Sequence, residues 1–175
     1  MIELIFSIVI IAILSTLAIS KYQDLKVNTI INHMSNIRIT LASSAYNSAI
    51  IKSALDDNES FSLKDIVGFS PILKKDDEFH YLEDFFWQHT DPNSMSIPAE
   101  ECGGNTHSNP DGTYSLEDSA YSGKKVSMRV SLFPDCRMVE MKIDCGLIHS
   151  TKHKKIREKC IERFGKEQIR EFFHY

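Results

Sequence analysis

Four cysteines and seven histidines are the residue types in this chain that could ligate metal or carry redox chemistry. Cys145, His149, His153 and Cys160 offer two thiols and two imidazoles, the donor types of a zinc site. Structural zinc usually takes cysteines about two to four residues apart, and this set holds no such pair. With Cys102 and Cys136 these cysteines make an even count confined to the second half of the chain. That pattern suits disulfides in an oxidising compartment. No Gly-rich phosphate loop, no G-x-S-x-G and no H-E-x-x-H occurs, and the histidines are scattered. The expectation is a protein that binds partners and catalyses nothing, with no cofactor and no metal.

One more charged residue stands in an unusual place. The chain opens "MIELIFSIVIIAILSTLAISKY". After Glu3 an apolar run extends from Leu4 to Ile19, softened only by Ser7, Ser15 and Thr16. About 20 apolar residues span a bilayer as a helix. Apolar residues here face every direction, which argues against a half-exposed core helix. A cleavable signal peptide needs a basic start, a shorter core and a small-residue cleavage site, and this segment has none of them. A bare carboxylate in the bilayer core costs about 3 kcal/mol or more. Glu3 therefore calls for a partner.

The helical pattern continues past the apolar run. No Gly or Pro occurs from Tyr22 until Gly68. Val27, Ile30, Ile31, Met34, Ile37, Leu41, Ala45 and Ala49 recur at helical steps, with Asn32, His33, Ser35, Asn36 and Arg38 filling the other side. Asp56-Asp57-Asn58 marks the expected end. One helix from Met1 to about Leu55 would be roughly 80 Å long. Its first half is lipid-like all round, and its second half needs a surface to cover it.

These residues resemble the N-terminus of type IV pilins and of the pseudopilins of type II secretion systems, a prepilin-type N-terminal methylation segment. Mature members usually begin Phe-Thr, then an apolar residue, Ile and Glu. Met1-Ile2-Glu3-Leu4 matches from the third residue onward, so the leader, its glycine and the Phe-Thr pair are expected upstream of Met1. The resemblance is close over about the first 25 residues and holds by pattern to about residue 55. Ser20 stands where a helix-bending proline is usual, so a straighter helix is expected, and Ala12 replaces a common glycine. The resemblance implies that Glu3 is an assembly residue, neutralised by the free N-terminal amine of a neighbouring subunit. It makes the run from Leu4 to Ile19 the membrane anchor. Implied partners are other pilin or pseudopilin subunits, an inner-membrane assembly platform, a prepilin peptidase and membrane lipid. The implied location is the inner membrane, single-pass, with a periplasmic or extracellular domain that later joins a filament. The alternative is a single-pass membrane-anchored sensing or binding protein, which offers no reason for Glu3.

Beyond the helix, "SFSLKDIVGF" offers Ser62 as a cap for a short turn ending near Gly68. "FHYLEDFFWQHT" concentrates Phe79, Tyr81, Leu82, Phe85, Phe86 and Trp87, read as core filling over the amphipathic half of the helix. Residues 88–124 read as loop-rich. There "NPDGTYSLED" gathers Asn109, Asp111 and Asp118 around a glycine. Oxygen ligands suit calcium, and some pseudopilins hold that ion in a loop. The spacing matches no defined calcium loop, so turn chemistry is the preferred reading.

"KVSMRVSLF" alternates Val126, Met128, Val130 and Leu132 with Ser127, Arg129 and Ser131, a half-buried strand. Pro134-Asp135 turns the chain, and "RMVEMKI" sets Val139, Met141 and Ile143 on one face, completing an antiparallel hairpin. The tail from about Lys154 to Phe173 reads as one or two helices broken at Gly165. If Cys136 to Ile143 is one strand, Cys136 and Cys145 lie roughly 25–30 Å apart. A bridge needs Cα atoms within about 7 Å. Two connectivities remain open, of which Cys145–Cys160 with Cys102–Cys136 is favoured.

The expected fold is α+β. A long N-terminal helix, transmembrane then amphipathic, packs on a small antiparallel sheet and a helical tail follows. Residues 1–25 form the membrane and filament-core helix and residues 26–175 a globular extracytoplasmic domain. The net charge of −4 gives no global basic field, so nucleic-acid binding is not expected. Charge is uneven: residues 56–118 hold fifteen Asp/Glu against three Lys, and residues 149–175 hold eight Lys/Arg against four Glu. Two solvated faces are the simpler reading, and head-to-tail attraction between copies is the sharper one.

Overall fold

The computed structural model describes residues 2–55, 79–82, 84–90, 93–165 and 167–174, with the side chains of 2, 20, 44–55 and 79–82 left aside. The cap expected at Ser62 and the turn at Gly68 lie outside these residues, as do the side chains of Ala45, Ala49, Phe79, Tyr81 and Leu82.

Helix α1 runs unbroken from Ile2 to Leu55 and passes through Ser20. Its two halves have opposite surroundings. Leu4 to Ile19 and Lys21 to Leu25 stand in the open, whereas Ile30, Ile31, Met34, Ile37 and Leu41 are buried. These buried positions repeat at three and four residues, so they form one stripe. Burying each such side chain is worth roughly 1.5–3 kcal/mol.

The stripe lies on a six-stranded antiparallel sheet of order β1-β2-β5-β6-β7-β8. Its strands are β1 (Phe79–Leu82), β2 (Phe85–Thr90), β5 (Thr113–Asp118), β6 (Lys125–Phe133), β7 (Met138–Asp144) and β8 (Gln168–His174). Strands β3 (Met95–Ser96) and β4 (His107–Ser108) form a separate two-stranded ribbon between β2 and β5. The expected hairpin is present: Met128, Val130 and Leu132 oppose Ile143, Met141 and Val139. The turn between them is a 3-10 turn, Pro134–Cys136, closed at Arg137 in the left-handed region at φ 50°. Phe85 and Trp87 join the cluster under α1, as core filling requires.

Residues 88–124 are loop-rich as expected, and within them β5 lies inside the sheet with all six residues buried. Two expectations need correction. Ser127 and Ser131 are fully buried rather than solvated. Ser131 Oγ meets Thr113 Oγ1 at 2.9 Å, and Ser127 Oγ donates to the Leu116 carbonyl at 2.9 Å. Part of the sheet face away from α1 carries a second cluster, in which Ile97, Cys102, Phe133 and Met138 are buried. Last, the tail is one helix and one strand. Helix α2 (Lys154–Phe164) ends at Gly165, φ 71°, whose N–H donates to the Ile161 carbonyl. The chain then reverses and β8 pairs with β7 from Gln168↔Asp144 to His174↔Met138.

The disulfides join Cys102 to Cys136 and Cys145 to Cys160, with Cα–Cα distances of 4.9 and 5.7 Å. Cys136 sits in the turn rather than in β7, which begins at Met138. Cys145 follows the far end of β7. One bridge therefore fixes the β3–β4 region to the β6–β7 turn, and the other fixes α2 to the opposite end of β7. For a loop of 15 residues a bridge is worth about 3 kcal/mol.

Candidate functional site

Glu3 lies in the first turn of α1, with its side chain exposed. The surface that follows it is apolar even where the sequence is not. Ser7 Oγ donates to the Glu3 carbonyl at 2.9 Å, Ser15 Oγ to the Ile11 carbonyl at 2.7 Å and Thr16 Oγ1 to the Ile13 carbonyl at 2.8 Å. Each hydroxyl is spent on the helix's own backbone, which is what a non-aqueous surrounding demands of a polar group. Leu4, Phe6, Ile11 and Leu17 are all at least 60% exposed. Among the described residues one helix is long and apolar enough to cross a membrane, and none of its apolar window is buried.

No cationic side chain of the same helix can reach Glu3. The first is Lys21, eighteen residues on, roughly 27 Å along the axis. A buried Glu3 must therefore be neutralised by protonation or by a cation other than a side chain of this helix.

The zinc donor set does not assemble. Cys145 and Cys160 are joined to each other. The His149 ring nitrogen Nδ1 accepts from the Thr151 and Lys152 N–H groups at 3.3 and 3.2 Å. Among the described residues no group of three or more His, Cys, Asp or Glu is arranged to hold a metal ion. Asp111 and Asp118 stand at opposite ends of β5, roughly 23 Å apart by strand rise, so they share no loop. Asp118 serves turns: its carboxylate accepts from the Ala120 N–H at 3.0 Å and the His149 N–H at 2.8 Å.

Sequence reasoning missed a buried latch at the start of α2. The His153 side chain is 3% exposed, with Nε2 3.4 Å from Asp84 Oδ2 and 3.6 Å from Asp118 Oδ1. Its ring packs on Phe85, centroids 5.1 Å apart. Burial holds the imidazole below its ordinary pKa, against the opposing pull of Asp118. Asp84 is held below the usual carboxylate range, chiefly by its hydrogen bond with Lys152. Their contact distance is 2.7 Å. A second polar knot lies on the far face, where the buried Glu140 takes Arg129 at 3.4 Å and Arg170 from β8. Neither knot had a signal in the sequence, since its members are far apart along the chain. Both tie elements together.

No family model, curated protein or solved structure matches this chain. The architecture itself is a long N-terminal helix, apolar and exposed in its first half, packed by its second half on an antiparallel sheet. That arrangement is compatible with a pilin-like fold.

Proposed function

We propose that this chain is a structural subunit of a type IV pilus-like or type II secretion filament that assembles through α1. The observation that carries the reading is Glu3, an ionisable side chain at the start of an exposed apolar helix whose hydroxyls are all tied to its own backbone. In this reading Leu4 to Ile19 sit in the inner membrane before assembly and in the filament core afterwards. Partners are other pilin or pseudopilin subunits, an assembly platform in the inner membrane and a prepilin peptidase. The sheet domain then stands outside the cytoplasm, where the two disulfides are stable.

Glu3→Ala tests the reading when the variant is the only copy in the cell. A filament subunit stays in the membrane fraction and loses assembly. A membrane-anchored sensor keeps both its location and its signalling. Filaments of normal number and length from the variant would overturn the proposal.

A further inference from the structure

A groove of about 620 Å³ lies where α1 leaves its apolar segment. Its floor is apolar, with Ala18, Ile19 and Val27 of α1 facing Ile156 of α2. Its rim is cationic, with Lys26 on one side and Lys152, Lys154 and Lys155 on the other, and among the described residues no Asp or Glu lines it. Lys152 is engaged by Asp84 at 2.7 Å. Among the described residues Lys154 and Lys155 pair with Glu158 at 3.8 Å and Asp24 at 3.6 Å, with side chains 73% and 61% exposed. Ion pairs that long and that wet hold their partners weakly, so both lysines can turn to another anion.

The backbone adds to the same field. Lys154 and Lys155 open α2, an eleven-residue helix with no acidic residue in its first turn and no side-chain cap. A helix N-terminus carries partial positive charge, so two lysines there concentrate like charge. An anion placed between them meets both lysines and the first N–H groups of α2.

The groove also has a defined height. Ile19 ends the apolar run, and Lys26 follows seven residues later, about 10 Å along the helix. A helix that spans the hydrocarbon with Leu4–Ile19 places that interval in the headgroup layer. A ligand with its anion on the rim and an apolar chain on Ala18 and Ile19 continues directly onto the exposed face of α1. A free anion satisfies the rim and leaves the floor wet.

We infer that this groove binds one anionic phospholipid of the surrounding bilayer. Its phosphate sits on Lys154, Lys155 and the first turn of α2, and its acyl chain lies along the apolar end of α1. The inference rests on the membrane reading of Leu4–Ile19 given above. Bound there, the lipid fixes how far the sheet domain stands from the membrane.

The test uses the full chain in non-ionic detergent with equal amounts of phosphatidylglycerol and phosphatidylcholine of the same acyl chains, read by native mass spectrometry. Flotation with phosphatidylcholine vesicles is measured in parallel. Phosphatidylglycerol is expected to be retained over phosphatidylcholine, and retention to fall as salt rises. One lysine near an anionic surface is worth roughly fivefold in affinity. Lys154→Gln with Lys155→Gln should therefore lower retention by about tenfold or more, while Lys154→Arg with Lys155→Arg keeps it. Flotation should be unchanged in all three proteins, and millimolar inorganic phosphate should not displace the lipid. Equal retention of the two lipids, loss of lipid to free phosphate, or a glutamine variant that retains lipid normally would each overturn the inference. So would a lipid-independent dimer that the glutamine substitutions dissociate, since an acidic partner would then fill the groove. Flotation without lipid preference sinks the groove and leaves the membrane reading standing. Lipid preference without flotation overturns the membrane reading, and with it the inference of a bilayer lipid.

Discussion

Trp87 donates its indole N–H to His33 Nε2 across 2.9 Å, with the two rings edge to face at a centroid distance of 5.7 Å. This contact joins strand β2 to the amphipathic half of α1. It fixes the tautomer of His33, because an accepting Nε2 carries no proton and Nδ1 must hold it. The aromatic run in "FHYLEDFFWQHT" therefore contributes more than volume to the helix–sheet contact.

Trp87→Phe keeps a ring against α1 and removes the donor to His33 Nε2. The expected cost is about 2 kcal/mol, from the lost hydrogen bond and the lost ring volume. Urea unfolding of the disulfide-intact protein measures it. A loss under about 0.5 kcal/mol would mean that water replaces the indole.

Removal of residues 1–25 should give a soluble, folded domain. Among the described side chains of α1 every fully buried one lies later, from Ile30 onward, and Leu25 itself is 64% exposed. The sheet, the aromatic contact and both disulfides stay complete. The measurement is size exclusion with near-ultraviolet circular dichroism of the oxidised fragment. Complete aggregation would show that the first half of the helix belongs to the domain core.

Acid should loosen α2 through His153. Its imidazole titrates below the ordinary value because it is buried. The unfolded chain therefore takes up the proton first, at about pH 6.5, and the folded chain only at lower pH. Stability linked to this group is complete above that value and is lost as pH falls. Asp84 titrates below its own ordinary value, so its contribution is lost only in stronger acid, below about pH 4. The urea midpoint of the 26–175 fragment should fall between pH 7.5 and pH 5, and His153→Gln should flatten part of that slope. An unchanged slope in the variant would place the titration elsewhere, with other histidines as the candidates.

The sequence reveals what is local and periodic. The stripe from Val27 to Leu41 and the alternation of Val126–Leu132 and Val139–Ile143 predict α1, β6 and β7 because each pattern repeats within one element. β5 is hidden because Thr113, Ser115 and Glu117 fill alternate positions and read as a solvated face, yet all three are buried, with Met95 Sδ 3.8 Å from Thr113 Oγ1. β8 is hidden because Arg170 and Glu171 are good helix formers. Its pairing with β7 overrides that local preference: Ile169, Glu171 and Phe173 then share the face toward α1, where Glu171 meets Arg38 at 2.8 Å. Strand length argues only against a Cys136–Cys145 bridge and leaves two connectivities open, and Cys136 itself lies in a turn. The His153 latch joins residues 69 and 35 positions apart and the groove at Ile19 joins residues over a hundred apart, and no pattern in one sequence announces such a meeting.

In the filament proposed above, α1 helices must fix a common register. Apolar contact between them gains little, because lipid is as apolar as a neighbouring helix. Ser7, Ser15 and Thr16 cannot set the stagger while their hydroxyls are bound to their own backbone. Glu3 is the only charged side chain before Lys21, and Lys21 of the same helix is out of reach. A cation from the neighbouring subunit can neutralise Glu3 at one axial offset and at no other, so each wrong offset leaves a charge in an apolar core. Glu3→Gln keeps shape and insertion and removes that selection. Co-expressed with the wild-type chain, a tagged Glu3→Gln variant should match it in the membrane fraction and fall at least tenfold below it in sheared filaments. A buried unpaired charge costs about 3 kcal/mol or more, which is ample for that ratio. Equal incorporation of the two chains would remove Glu3 from assembly and leave its place in the apolar helix without a cause.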